Sequence, residues 1–157
     1  MTFTLSSSAF ENNERIPSKY TCDGDRTINP PLEISGVPEM AKALVLVMDD
    51  PDVPKVLHPE GVFDHWVVFN IPVDTKEIPE GGPVLGVVGA NGEGTNAYTG
   101  PCPPPQYEPS EHRYIFKLYA LIAPLNLSAG ATKEQVLDAI APVKLAETEL
   151  IGRYSRK

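Results

Sequence analysis

A chain of 157 residues, 41% of them hydrophobic, can close one sizeable core and is too short for a second independent one, so a single domain over residues 1–157 is expected. Thirteen Lys and Arg against 21 Asp and Glu leave a net charge of −8, which argues against nucleic acid or an anionic membrane as partner, because both need a basic footprint. No apolar run approaches the roughly 20 residues that span a bilayer, and no basic and apolar leader precedes the first polar residues, so no integral membrane segment is expected and the cytoplasm is the default location.

Taken in order, residues 3–10 mix Thr, Ser and apolar side chains, with Phe3 and Leu5 at strand spacing, and predict a short edge strand. A connection follows over 11–19, then an ordered loop over 20–32 built on a Gly turn and a Pro pair. Leu32, Ile34 and Val37 alternate as in a half-buried strand that Pro38 closes. The run 44–48, LVLVM, is too short for a helix and shows no alternation, so it reads as a strand buried on both faces. A loop carrying His58 covers 53–63, and 65–71 is a second strong strand with Trp66 as a core anchor. Residues 72–111 are rich in Gly and Pro and lack apolar periodicity; Tyr98, Cys102 and Tyr107 favour an ordered loop, with short strands near 84–88. Residues 112–122 form the third strong strand, with Tyr114, Phe116 and Leu118 on one face. Thr132 can cap a helix over 133–140 whose stripe is Val136, Leu137 and Ile140, and Pro142 ends it. The stretch 143–154 reads as a short helix or a strand, with Gly152 as a kink or bulge. The fold class is therefore mainly β.

Chemistry gathers at three strand ends. The 44–48 strand runs out in DDPDVP, where Pro51 and Pro54 stop ladder pairing and Asp50 and Asp52 project from a stiff turn; Asp49 reads as a turn cap. His65 and His112 each open a later strand. A rim shared by all three requires the first strand to run antiparallel to the other two. In extended geometry Asp50 and Asp52 would share a face, as would His112 and Tyr114. Cys22 and Cys102 are too few for a disulfide scaffold and lack CxxC spacing; thiols in the core or a loop are the default reading, and a bridge between them turns on a distance that sequence does not supply.

Six ordered pieces carry a likeness: YTCDGD at 20–25, PPL at 30–32, DDPDVP at 49–54, DHWVVFNIP at 64–72, YTGPCPPP at 98–105 and HRYIFKLYAL at 112–121. Together they resemble the phosphatidylethanolamine-binding protein family, in its prokaryotic Raf-kinase-inhibitor-like branch. The resemblance implies an antiparallel-rich, β-sandwich-like domain with a small C-terminal helical element and one anion-accepting pocket. Carried over by motif, that pocket would use Asp50, Asp52, Pro54, His65, Gly100, Pro103, Pro104, His112 and Tyr114. It implies a small anionic or phosphorylated ligand, such as phosphate or a phospho-head-group, and regulation of a protein partner such as a kinase. The chain departs from the pattern at Asn29, where similar sequences commonly carry serine, and at 106–111, an insertion without the usual glycine before HRY.

In such a pocket His65 and His112 would donate to phosphate oxygens, Tyr114 would add a hydroxyl, and Arg113 would neutralise an inner acid as structural support. The proline-rich loop would supply a stiff wall. A hydrolase using Asp50 and His65 for acid–base work is the alternative, although the chain has no GxSxG elbow and no cysteine signature, so binding is favoured over catalysis and no catalytic residue is assigned. A metal site of His65, His112, Asp50 and Asp52 is chemically conceivable but has no local ligand spacing, so neither metal nor cofactor is expected. His58 matches no motif and is read as a loop residue. Edge strands leave a homodimer open.

Overall fold

The structure, a computed structural model, describes residues 1–156. Nine strands and one α-helix follow in the order β1 (Thr4–Ser6), β2 (Glu14–Arg15), β3 (Leu32–Ser35), β4 (Ala43–Asp50), β5 (Phe63–Ile71), β6 (Glu77–Ile78), β7 (Val87–Val88), β8 (His112–Leu121), α1 (Lys133–Ile140) and β9 (Lys144–Tyr154). They build a three-stranded sheet, β1-β3-β6, and a six-stranded sheet, β2-β9-β8-β4-β5-β7. All pairings are antiparallel except β2 with β9.

The continuous apolar run of β4 has a direct cause. Leu44, Leu46 and Met48 face a core shared with Leu5, Leu32 and Ile34 of the small sheet. Val45 and Val47 face the opposite way, into a second core closed by Val136 and Ile140 of α1. A strand covered on both sides has no use for alternating polar residues. Helix α1 begins with a capping box in which the Thr132 hydroxyl accepts from the Gln135 N–H and the Gln135 side chain accepts from the Thr132 N–H. Its Lys133 reaches across to Asp49 at 3.2 Å and Asp64 at 2.8 Å, pinning the helix to the ends of β4 and β5. Asp49 is thus a strand residue held by a lysine, not the turn cap expected. Burial nevertheless lifts its pKa, and Lys133 only partly counteracts that.

Of the two readings open for 143–154, a short helix or a strand, the strand is the one formed: β9 lies between β2 and β8. Gly152 is no bulge: it stays in register opposite Tyr114, while the register shift lies at Ala120/Leu121. A Cβ on Gly152 would come within 2.4 Å of Ile16 Cγ1, so glycine is required there by close approach.

Candidate functional site

Because β4 runs antiparallel to both β5 and β8, its C-terminal end meets their beginnings. Asp50 stands opposite Phe63, and Asp49 stands opposite Asp64 on one side and Ile115 on the other. The shared rim expected from sequence is therefore formed.

Asp50 is the hub of that rim. It is 2% exposed and uses both carboxylate oxygens: Oδ1 accepts from the Asp52 N–H at 2.8 Å, and Oδ2 accepts from His112 Nδ1 at 2.7 Å. The first bond folds the chain back just after the strand, so Asp50 and Asp52 do not share a face as extended geometry would have had it. Asp52 turns outward, where Arg113 clamps it with its guanidinium at 2.8 and 2.9 Å and with its own N–H at 2.9 Å. That clamp holds the Asp52 pKa low despite some burial. Arg113 thus neutralises the outer acid, and the inner one is left to histidine.

His112 is fully buried. Burial opposes charging its ring, but the hydrogen bond it donates to Asp50, the charges of Asp50 and Asp52 and the nearby Pro109 carbonyl outweigh it and raise the His112 pKa. Its second nitrogen, Nε2, is buried without a hydrogen-bond partner, as is the hydroxyl of Tyr114. The Tyr114 ring stacks on His112 with centroids 6.3 Å apart, and its hydroxyl lies near Asp50 without hydrogen-bond geometry.

His65 is arranged differently. Its Nδ1 lies 2.7 Å from the Thr99 carbonyl oxygen, and its ring sits edge-on between Phe63 and Tyr114. Burial lowers its pKa, and the Thr99 bond and the Asp50 charge only partly offset this. Thr99 belongs to the proline-rich loop, which is fastened hard to the 20–26 loop. Gly100 donates to the Arg26 carbonyl at 2.8 Å, and a Cβ there would strike the Tyr20 carbonyl oxygen at 2.1 Å. Cys22 and Cys102 form a disulfide with Cα atoms 5.4 Å apart, which replaces the two free thiols of the default reading. Asn29 makes up for the missing serine, since its buried side-chain amide donates to the carbonyls of Pro30 at 2.9 Å and Pro79 at 3.0 Å.

These elements enclose a cavity of about 410 Å³. Asp50, Pro54, His65, Gly100, Pro103, Pro104 and His112 all line it. Asp52 and Tyr114 stand just outside the lining, the first behind Arg113 and the second behind the two histidines. Sequence reasoning missed Arg26, His58, Phe63 and Glu93, which also line the cavity. Arg26 reaches the Thr99 hydroxyl at 3.3 Å and Glu93 at 3.5 Å. His58 is part of the wall, edge-on to Phe63. Arg26 lies one residue beyond the YTCDGD motif and Phe63 opens β5 one residue before the DHW motif, both signals within reach; His58 and Glu93 arrive on loops with no periodicity to read. Asp50 bonds His112, not His65, so the acid–base couple of the hydrolase reading is not the one assembled. Among the described residues no group of three or more His, Cys, Asp and Glu is placed to hold a metal ion, so the four residues weighed as metal ligands do not converge as a set.

A family model described as phosphatidylethanolamine-binding protein matches residues 6–155. The chain belongs to the phosphatidylethanolamine-binding protein family. Among family relatives, a UPF0098 protein of Methanothermobacter thermautotrophicus is 48% identical over 97% of this chain and 98% of its own. The crystal structure of the family homolog CT736 from Chlamydia trachomatis superposes with a TM-score of 0.93 at 40% identity, covering 99% of both chains. Escherichia coli YbcL, described as a member of the mammalian family, gives a TM-score of 0.87 at 27% identity over the whole of both chains. These likenesses place the chain in the prokaryotic branch of the family, and the fold is that of a ligand-binding module.

Proposed function

We propose that this family member binds a small oxyanion, phosphate or the phosphate of a head group, in the cavity between Asp50, His65, His112 and the proline-rich loop. The observation that carries the reading is His112 Nε2: buried, unpartnered, and on a cavity-lining ring whose other nitrogen Asp50 holds in place. Leaving a buried donor unpaired costs about 1–3 kcal/mol, and an oxyanion oxygen in the cavity relieves that cost. Arg26 adds a fixed positive charge, and the wall of Pro103 and Pro104 is already ordered, which lowers the entropy lost on binding. Tyr114 and Asp52 serve as supports, by backing the histidines and by holding Arg113. Binding is favoured over catalysis, because no serine, threonine or cysteine nucleophile is hydrogen-bonded to His112 Nε2.

The test is calorimetry with a phosphomonoester. Wild type is expected to bind and the His65→Ala/His112→Ala double variant, checked for folding by circular dichroism, to lose binding; unchanged affinity would sink the assignment. Regulation of a protein partner such as a kinase belongs to the same reading through the family resemblance, and a kinase assay in which added phosphomonoester changes nothing would remove it. One domain over 1–157 is likewise part of the proposal, with a single cooperative unfolding transition as its check. A homodimer formed by extending the large sheet has little to pair with, since its edges, β2 and β7, are two residues each.

No helix is long and apolar enough to cross a membrane. The cytoplasm stays the proposed location on one condition set by the Cys22–Cys102 bridge: disulfides persist in oxidising compartments or inside heat-adapted cells. Thiol alkylation in freshly lysed cells, without reductant, is expected to leave both cysteines unlabelled. Labelling of both would show the bridge open in the cell.

A further inference from the structure

The proline-rich loop is tied to the rest of the molecule unevenly along its length. From 98 to 101 every residue is fastened by a hydrogen bond. Tyr98 Oη donates to the Tyr20 carbonyl at 2.9 Å, Thr99 N–H to the His65 carbonyl at 3.0 Å and Gly100 N–H to the Arg26 carbonyl at 2.8 Å, while the Pro101 carbonyl accepts from the Cys22 N–H at 3.0 Å. Past Pro101 such ties stop. Among the described residues, 102–110 make no hydrogen bond to the rest of the chain, and the backbone bond within that span, Tyr107 N–H to the Pro104 carbonyl at 3.3 Å, is local. Pro103, Pro104 and Pro105 have no N–H to give. Packing adds little, since Pro103 is buried but Pro105, Gln106, Glu108 and Pro109 are exposed. The span is caught again only at its far end, where the Pro109 carbonyl lies near the His112 ring, Glu111 meets Arg153 at 3.4 Å and β8 begins.

The Cys22–Cys102 bridge stands at the boundary between the tied part and the untied one. Cys102 opens the untied span, and it lines the cavity together with Pro103 and Pro104, which follow it directly. One covalent bond therefore fixes the base of a wall that hydrogen bonds leave alone. The bridge joins two loops and touches no strand, so the two sheets and their cores do not run through it. Both cysteines are half-buried rather than sealed, which leaves the bond within reach of a small thiol.

We propose that the Cys22–Cys102 bridge is a thiol–disulfide exchange site that latches the cavity: closed, it holds the wall in place for a ligand, and opened by a dithiol it frees residues 102–110 while the sheets stay folded. One thiolate of the dithiol attacks a sulfur of the bridge, forming a mixed disulfide and releasing the other cysteine, which takes up a proton. The second thiol of the reductant then displaces the remaining cysteine, so two electrons pass to the bridge, the dithiol becomes a disulfide, and Cys22 and Cys102 end as thiols. The latch rests on the oxyanion reading for its ligand and on the loop alone for its motion. A freed wall must be ordered again by each ligand that binds, and ordering one or two backbone residues is equivalent to about 10-fold in affinity. Coupling of this kind is reciprocal, so bound ligand protects the bridge from reduction by the same factor.

The experiment compares the whole chain before and after treatment with dithiothreitol, with thiol titration confirming the two states. Amide relaxation measured by NMR reads the wall, and calorimetry with inorganic phosphate reads the cavity. On reduction the order parameters of Gln106, Tyr107, Glu108 and Ser110 are expected to fall from near ~0.85 to below about 0.6, while those of β4, β5 and β8 hold. Phosphate is expected to bind about 10-fold more weakly to the reduced chain. Loop order parameters that do not change would overturn the inference, because the wall then stands without the bridge. A fall that spreads through the strands would overturn it too, because the bridge then holds the whole fold. Equal phosphate affinity in the two states would overturn it and leave the oxyanion reading standing. Phosphate that binds neither state would overturn the oxyanion reading, and the loop order parameters would then decide the latch alone. The Cys22→Ser/Cys102→Ser double variant is expected to behave as the reduced chain with or without dithiothreitol; a response to the reagent in that variant would overturn the bridge as its source.

Discussion

Asp50 is buried and committed to two partners, which makes it the residue where stability and pH meet. His112 has a folded-state pKa above its ordinary 6.5, so its stabilising contribution is complete below that value and is lost as pH rises through the raised one. His65 works in the opposite direction. Its folded-state pKa is below 6.5, so the unfolded chain takes up the proton first, and stability falls as pH drops below that value. Asp50→Asn removes the acceptor charge that raises His112 and should cost about 3 kcal/mol or more near neutral pH, because it leaves one member of a buried pair alone. Urea midpoints followed from pH 5 to 9 should show an alkaline decline in the wild type that flattens in the variant. A decline of equal size in both would remove His112 as its source.

At the scale of the element, β9 lies against a glycine-sized gap. Gly152 faces Ile16 and Phe10, whose side chains already fill the place of a Cβ. Gly152→Ala should therefore cost about 1–3 kcal/mol by overpacking, and less in an Ile16→Ala background where the nearest atoms are gone. Denaturant titration of the two single variants and the double checks this, and additive losses would contradict it. The same elements show what sequence could disclose. β4, β5 and β8 were legible because long apolar runs bounded by Pro and His leave few alternatives, and with them came Asp50, His65 and His112. Helix α1 was legible through its Thr132 cap. β9 was left between helix and strand because seven of its eleven residues are polar or small and its first half is mostly exposed, so no core stripe marks the period. β2, β6 and β7, two residues each, are too short for any period; only β7 fell within a stretch where a short strand was expected. His58 and Glu93 reach the cavity by loop closure, which leaves no local trace.

For the molecule as a whole, one covalent bond matters most. The Cys22–Cys102 bridge joins residues 80 apart in sequence and holds the wall of the cavity to the loop beneath it. Closing so long a loop in the unfolded chain removes much of its freedom, so reduction, or replacement of both cysteines by alanine, should cost roughly 2–5 kcal/mol. The unfolding midpoint with and without reductant measures this. An unchanged midpoint would mean that the hydrogen bonds of Gly100, Cys22 and Tyr98 hold the wall unaided. The paired acids that end β4 have a wider consequence. Asp49 looks toward Lys133 and the helix, and Asp50 looks toward His112 and the cavity. Neighbours in the chain, they are strangers in space: one strand end fastens the helix through position 49 and shapes the cavity through position 50, so a shift of β4 would be felt on both sides of the sheet at once.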